Sequence, residues 1–222
     1  MTAVSIVVPV LDEAARLPGL LAGFAAWRDA GDEVVVVDGG SRDDSVAAAR
    51  PWCDVVVTAA RGRAAQMNAG AAVARGRVLW FVHADSDVAA VAREVVAGCT
   101  AWGRCDVRLD DRAPVFRVIE FMMNQRSRLT GIATGDQALF VTRELFTAVG
   151  GFPELALMED VEISARLRRR ARPLCTAGPV LTSARRWRRH GIARTVALMW
   201  WLRLAWFCGV DDRRLARWYG QR

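Results

Sequence analysis

Three acidic groupings in this 222-residue chain stand where chemistry could be done. The first is His83-Ala84-Asp85-Ser86-Asp87, which follows the unbroken apolar run Val78-Leu79-Trp80-Phe81-Val82. Such a run reads as a strand buried on both faces of a parallel sheet. In extended backbone His83, Asp85 and Asp87 project to one side. Carboxylates two residues apart at the carboxyl end of a buried strand can hold a hard divalent cation, Mg²⁺ or Mn²⁺. That end of an open α/β sheet is also where ligands bind. The competing reading is a polar loop in which Ser86 or Asp87 caps a helix starting near Val88. The second grouping is Asp12-Glu13 together with Asp38, each at the end of another apolar run. The third is Glu159-Asp160, an acidic pair after Phe152-Pro153 in an otherwise basic region. A positioned carboxylate is what takes a proton from an attacking hydroxyl. Acids in a first helical turn are equally what the helix dipole favours.

The elements that must position these residues follow from periodicity. Ala3 to Pro9 reads as a first strand, and Leu17, Leu20, Leu21, Phe24 and Trp27 predict an amphipathic helix from about Glu13 to Arg28. Glu33 to Asp38 is a second buried strand, ending in Asp38-Gly39-Gly40-Ser41, with Asp43 and Asp44 opening a helix that runs to Arg50. A short strand from Asp54 to Thr58 and a helix from about Arg63 to Arg75 precede the strand that ends at His83. Alternating strands and helices predict a parallel sheet with helical crossovers, an α/β architecture of the nucleotide-binding type. The GxGxxG dinucleotide fingerprint is missing after the first strand, and GxxxxGK[ST] is ruled out because the chain has no Lys. Strands one, two and four end on one edge. Acids there suit a sugar-nucleotide, one on the base or ribose and another, through a metal, on the diphosphate.

The second half differs. Arg104 to Leu109 alternates, which predicts a half-exposed strand with Cys105, Val107 and Leu109 inside and Arg104, Asp106 and Arg108 outside. Pro114 opens a helix carrying Val115, Val118, Ile119, Met122 and Met123. A Gly-rich turn from Thr130 to Gln137 leads into a strand from Ala138 to Thr142, and a helix from Arg143 stops at Gly150-Gly151. Glu159 and Asp160 begin a helix that reaches about Arg170. Residues 195–210 hold a single charge, Arg203, and at 16 residues fall short of the roughly 20 that cross a bilayer. They read either as a core-packing helix or as a Trp-rich helix lying in a membrane interface with arginines at the headgroups.

Composition bounds the rest. With 53% apolar residues the chain can bury a substantial core, and with no repeat or low-complexity linker it reads as one domain. All 31 basic residues are Arg, and the net charge is +7. Residues 161–222 carry fifteen Arg against Glu162, Asp211 and Asp212, a net +12, which leaves −5 on the first 160. Such a basic segment suits anionic lipid or a phosphorylated ligand. Nucleic acid is not expected, since no binding motif accompanies the charge. Five Cys without a CxxC read as free thiols in a reducing compartment, and the N-terminus has no leader pattern. The expectation is a cytoplasmic protein, with peripheral contact at the inner membrane face through residues 195–210 as the alternative placement.

Taken together and in order, these segments resemble the family 2 glycosyltransferases of the GT-A fold. The resemblance is carried by Val7-Val8-Pro9-Val10-Leu11-Asp12-Glu13, with Asp12 for the usual Asn, and by Val36-Val37-Asp38-Gly39-Gly40-Ser41. It continues through Gly62 to Gly70, Phe81-Val82-His83-Ala84-Asp85, Gly150-Gly151-Phe152, and Met158-Glu159-Asp160 with Arg166-Leu167. It implies residues 1–100 as a nucleotide-sugar-binding half, 101–190 as an acceptor and catalytic half, and 191–222 as Trp-rich C-terminal helices. Asp38 would read the base and Glu13 would contact the nucleoside. Pro9, Arg61, Arg63, Ala84 and Asp85 would complete the nucleotide site, with Gln66 as a further phosphate or nucleotide contact. Asp85 would be the metal carboxylate of the DxD motif. His83 replaces its first Asp, and Asp87 offers a second DxD register. Asp160, beside Glu159, would be the base of an inverting displacement. Ser183-Ala184-Arg185-Arg186-Trp187 is similar to the Gln-x-x-Arg-Trp motif with Ser for Gln, which would put Arg186 on the diphosphate and Trp187 at the acceptor. More narrowly, the motifs resemble a bacterial subgroup called selenodomain- or arsenosugar-associated transferases. There Thr134, Gly135, Asp136 and Gln137 would line the acceptor side, or else simply form a tight turn.

The reading is therefore a glycosyltransferase that moves a sugar from a UDP- or GDP-sugar to a small-molecule or lipid acceptor with a divalent metal. Its rivals are a sugar-phosphate nucleotidyltransferase, which commonly places a Lys on the phosphates, and a non-catalytic nucleotide- or membrane-binding module.

Overall fold

The computed structural model describes residues 2–220. The strand β1 (Val4–Val10) is buried along its whole length. The predicted long first helix is two short ones, α1 (Leu17–Ala22) and α2 (Ala25–Asp29), because Gly23 caps the first and lets the chain turn. Next come β2 (Glu33–Asp38), α3 (Ser45–Ala49), β3 (Val55–Thr58), α4 (Arg63–Val73) and β4 (Val78–Phe81). The four strands pair in parallel in the order β3-β2-β1-β4, as the alternating pattern predicts.

The helix expected near Val88 does not form there. Ser86–Asp87 is instead a two-residue strand, β5, and α5 begins later, at Arg93–Ala97. There follow β6 (Trp102–Leu109), α6 (Pro114–Thr130), a 3₁₀ turn at Gly135–Gln137, β7 (Phe140–Thr142), α7 (Arg143–Ala148) and α8 (Glu159–Arg168). β8 (Leu174–Thr182), α9 (Arg185–His190), α10 (Ile192–Phe207) and α11 (Asp212–Tyr219) complete the chain. β7 runs antiparallel to β4 and β6, β8 parallel to β6, and β5 antiparallel to β8. The full order is β3-β2-β1-β4-β7-β6-β8-β5. Only four residues separate β4 from β5, yet the two stand apart in that order, so the sheet curls.

The sheet has a core on each face. On one, Ile6, Val8 and Trp80 meet Leu17, Leu21, Phe24 and Trp27; the Trp80 ring stacks on Trp27 at 4.6 Å. On the other, Val7, Val37, Leu79 and Phe81 meet Met67, Phe146, Phe152, Ile163 and Leu167. α4 lies flat on this face because Gly70 has no side chain: a Cβ there would sit 2.4 Å from Val7 Cγ1. Arg104, expected to point outward, is fully buried because α6 covers that face of β6. Its guanidinium pairs with Asp106 and donates to the Cys105 and Asn124 carbonyls.

Strand directions bring the chemistry to one edge. β1, β2 and β4 end there, antiparallel β7 begins there, and β6 and β8 end there. Among the described residues no helix is long and apolar enough to cross a membrane.

Candidate active site

At the β1 and β2 ends the backbone is tied by short polar side chains. Asp38 accepts from Gly40 and Ser41 N–H at 3.0 and 3.2 Å. Asp12, in the left-handed region at φ 53°, accepts from Arg42 N–H at 2.7 Å. The Glu13 N–H donates to Ser45 Oγ at 2.8 Å, and its carboxylate pairs with Arg16. Pro9 is buried in β1 opposite Val37, just beyond the β4 pairing, where its missing N–H leaves no ladder bond unmade. Gln66, expected at a phosphate, is instead spent on the fold: its amide donates to Val10 O and Val37 O, both at 2.8 Å. Arg61 is exposed in the turn before α4.

The end of β4 is the electrostatic centre. His83, Asp85 and Asp136 lie within one another's electrostatic reach, with Arg63 and Asp160 also in their field. The chain turns at His83, whose carbonyl accepts from Ser86 N–H at 3.1 Å, so the expected extended projection does not hold. Asp87 leaves the group: it pairs with Leu181 in the sheet, is exposed, and accepts from Ala89 N–H. Ala84 is buried among the residues of the first core. Burial, then the Arg63 charge, lowers the His83 imidazole below its ordinary value. Burial, aided by Asp85 and Asp160, raises the Asp136 carboxyl. Among the described residues no three acidic, His or Cys groups are close enough to cage a metal ion.

Asp160, in the first turn of α8, borders this group. Its Oδ2 accepts from Gly135 N–H at 2.8 Å and its Oδ1 from Val161 N–H at 2.7 Å. Glu159 pairs with Arg63 at 2.8 Å, but burial outweighs that attraction and pushes its carboxyl up to about 7. Its other oxygen, Oε2, is buried without a partner. Phe81, His83, Thr134, Gly135, Glu159 and Asp160 line a cavity of ≈ 10 Å³, about one water. The pair is aimed by strain: Met158, the cap of α8, sits at φ 72°, unusual for a side chain with a Cβ. Met158 packs with Leu202, Ala205, Leu215 and Ala216, so α10 and α11 hold it in place.

Three site residues were not apparent in the sequence. Arg126 on α6 and Arg203 on α10 both lie in the field of Asp160 and make no ion pair among the described residues. Burial, with Arg203 beside it, pushes Arg126 down to about 10, and its Nη1 is buried without a partner. Tyr219 on α11 is the third: it feels Asp136, Arg63 and Asp160, and burial raises its phenol. Arg203 is the lone charge in an apolar stretch and Tyr219 the lone Tyr of the chain, which were the available signals.

Arg186, expected at the diphosphate, borders this group through Tyr219, whereas Trp187, expected at the acceptor, is packed in the fold. Arg186 stacks over the Tyr219 ring at 3.8 Å and donates to its carbonyl. Trp187 packs against Leu109, Phe116 and Ile119. Gln137 is fully buried and accepts from Thr134 N–H, which fixes the turn.

The sequence model of the family described as "Glycosyl transferase family 2" matches residues 5–131, more than half of the chain. The chain belongs to glycosyl transferase family 2. Its fold is α/β, of the GT-A type. No curated protein matches it. Solved structures that share the fold include the 1–349 segment of S. aureus TarS, with a TM-score of 0.64 and 18% identity. A mannosyltransferase from Pyrobaculum calidifontis, in complex with GDP-Man and Mn²⁺, has a TM-score of 0.60 and 24% identity. Glucosyl-3-phosphoglycerate synthase from Mycobacterium tuberculosis, in complex with Mn²⁺, UDP and glucosyl-3-phosphoglycerate, has 0.56 and 20%. These alignments cover 83%, 82% and 81% of this chain. The chain spans only 61%, 56% and 71% of theirs. The family match ends before Gly135, so Asp136, Glu159 and Asp160 join the site through the fold.

Gly135 is the joint between the two acidic groups of this family 2 chain. A Cβ there would meet His83 Cε1 at 2.3 Å, and the same residue supplies the N–H that holds Asp160. Gly135→Ala is expected to cut turnover by about 10²-fold, the cost of a displacement near 1 Å at reacting groups. Nucleoside-diphosphate release, measured beside unchanged thermal unfolding, checks it.

Proposed function

We propose that the chain catalyses inverting transfer of a sugar from a UDP- or GDP-sugar to an acceptor hydroxyl, with Asp160 as the base. The observation that carries this reading is the placement of Asp160. Two backbone N–H groups hold its carboxylate beside the His83, Asp85 and Asp136 group, on the ligand-binding edge of the sheet. The donor base and ribose are assigned to Asp38 and Glu13 at the β1 and β2 ends, and the diphosphate to the β4 end near Asp85 and Arg63. Asp160 takes the acceptor proton as the new glycosidic C–O bond forms, and the bond to the diphosphate oxygen breaks, releasing a nucleoside diphosphate. Attack opposite the leaving group inverts the anomeric carbon.

A divalent cation fits the residues present. Mg²⁺ or Mn²⁺ is usually held by one or two carboxylates plus substrate phosphates, not by an all-protein cage. Asp85 and Asp136 lie in each other's field, and their mutual repulsion is what a bound cation would relieve. Asp85 is the assigned ligand, with Asp136 and His83 beside it. The ion supplies charge neutralisation on the departing diphosphate. Mn²⁺ accompanies the nucleotide in two of the fold relatives, which supports the same assignment. The motifs further support the selenodomain- or arsenosugar-associated subgroup, with a small-molecule or lipid acceptor.

Calorimetric titration with UDP, GDP, ADP and CDP, each with Mn²⁺ and with EDTA, tests the donor site. One diphosphate is expected to bind in a metal-dependent way. Asp85→Ala is expected to weaken that binding 10-fold or more with Mn²⁺ and to leave affinity in EDTA unchanged; equal affinities for both proteins in Mn²⁺ sink the metal assignment. Release of pyrophosphate in place of nucleoside diphosphate would sink glycosyl transfer.

A further inference from the structure

α10 is a helix with two apolar faces. Its inner face, Leu202 and Ala205, joins the cluster with Leu157, Met158 and Leu215. Its outer face shows Trp200, Trp201, Leu204 and Phe207, which are 68%, 54%, 56% and 89% exposed. The spacing of these residues puts them on one side of the helix. Trp218 of α11 extends the same surface: its ring lies 6.1 Å from that of Trp201. Arg214 sits over the Trp218 ring at 5.1 Å, and Arg213 and Arg217 are exposed on the same short helix. Isolated exposed apolar residues need no explanation, but large ones grouped and rimmed by polar groups mark an interaction surface.

Charge decides which partner fits. Residues 161–222 carry a net +12, with exposed Arg185, Arg188 and Arg189 on α9 and Arg194 in the first turn of α10. A second copy seated symmetrically on this face would oppose two such segments, because a two-fold interface meets itself. An anionic lipid surface meets the arginines with opposite charge and takes the tryptophans at headgroup depth. The helix is about 24 Å long, by 1.5 Å per residue, enough to lie in an interface and too short to cross it.

We propose that the outer face of α10, with Trp218 and the arginines of α11, docks this protein on an anionic bilayer. The sheet is left out of the contact. Arg203 of the same helix lies in the field of Asp160, so the docking helix also borders the candidate site. The surface stands independently of which nucleotide the donor site takes.

Co-sedimentation with vesicles tests it, using phosphatidylcholine alone and phosphatidylcholine with phosphatidylglycerol. The expected result is binding to the anionic vesicles that falls as salt rises. A Trp200→Ser, Trp201→Ser, Phe207→Ser variant and, separately, an Arg213→Gln, Arg214→Gln, Arg217→Gln variant should each lose it 10-fold or more. Nucleotide binding and thermal unfolding of both variants, unchanged from the parent, show that the fold is retained. No binding by the parent, or equal binding to neutral vesicles, overturns the proposal. So does a parent dimer in sedimentation equilibrium that the Trp and Phe substitutions dissociate. Loss of nucleotide binding with vesicle binding intact would count against the donor site alone.

Discussion

Asp160→Asn is expected to lower turnover by about 10²- to 10⁴-fold, the usual contribution of a positioned general base. The substitution keeps the shape, and the Asn carbonyl can still accept the Gly135 N–H that Oδ2 holds at 2.8 Å, while the Val161 N–H on Oδ1 loses its acceptor. The main loss is the ability to take a proton. Donor affinity should therefore stay within a few-fold of the parent while nucleoside-diphosphate release falls. The split separates chemistry from binding. Preserved turnover would remove Asp160 as the base and move attention to Glu159, whose carboxyl burial pushes up to about 7.

The largest expected effect on stability belongs to Arg104→Ala. Arg104 is wholly buried, ion-paired with Asp106, and its Nη2 donates to the Asn124 carbonyl of α6 at 3.1 Å. Asn124 in turn bonds both the N–H and the carbonyl of Val107, so the two residues stitch α6 to β6. Removing one partner of a buried pair costs about 3–5 kcal/mol. Asp106 keeps Arg128 at 2.5 Å, which places the expectation at the lower end of that range. Urea unfolding measures it. Arg104→Met, which keeps most of the volume and leaves out the charge, should recover part of the loss; if it destabilises as much as Ala, the charge and its hydrogen bonds dominate over packing.

The N-terminal half of the fold was legible because β1, β2 and β4 are buried on both faces. β2 has the bounds its apolar run predicts, and β1, β3, β4 and α4 fall within a few residues of theirs. β8 was not read as a strand because Gly178-Pro179 interrupts it. The Pro is tolerated since the pairing with β6 shifts register there, between Cys105 and Asp106. The alternation of β6 predicted an outward Arg104, and only tertiary cover by α6 buries it. In the candidate site, Asp85, Glu159 and Asp160 could be picked out from local sequence. Their grouping with Asp136, Arg126, Arg203 and Tyr219 depends on strand order and on the packing of α10 and α11, which no local pattern encodes. Asp87 had the right spacing, but the chain turns at His83 and pairing with β8 carries Asp87 away.

The curl of the sheet has a consequence for how the molecule comes into being. The loop that carries His83 and Asp85 is pinned between β4 and β5, and among the described residues β5 pairs with β8 alone. β8 is ninety residues later in the chain, by which time β1 to β4 have emerged from the ribosome with all their own parallel partners. The parallel part of the sheet is thus free to assemble during synthesis, whereas the acidic loop waits for residues 174–182 and Asp160 waits for α10 and α11 to seat Met158. Folding order and assembly of the acidic group are thereby coupled: a nascent or truncated chain is able to build its parallel sheet before that group is complete.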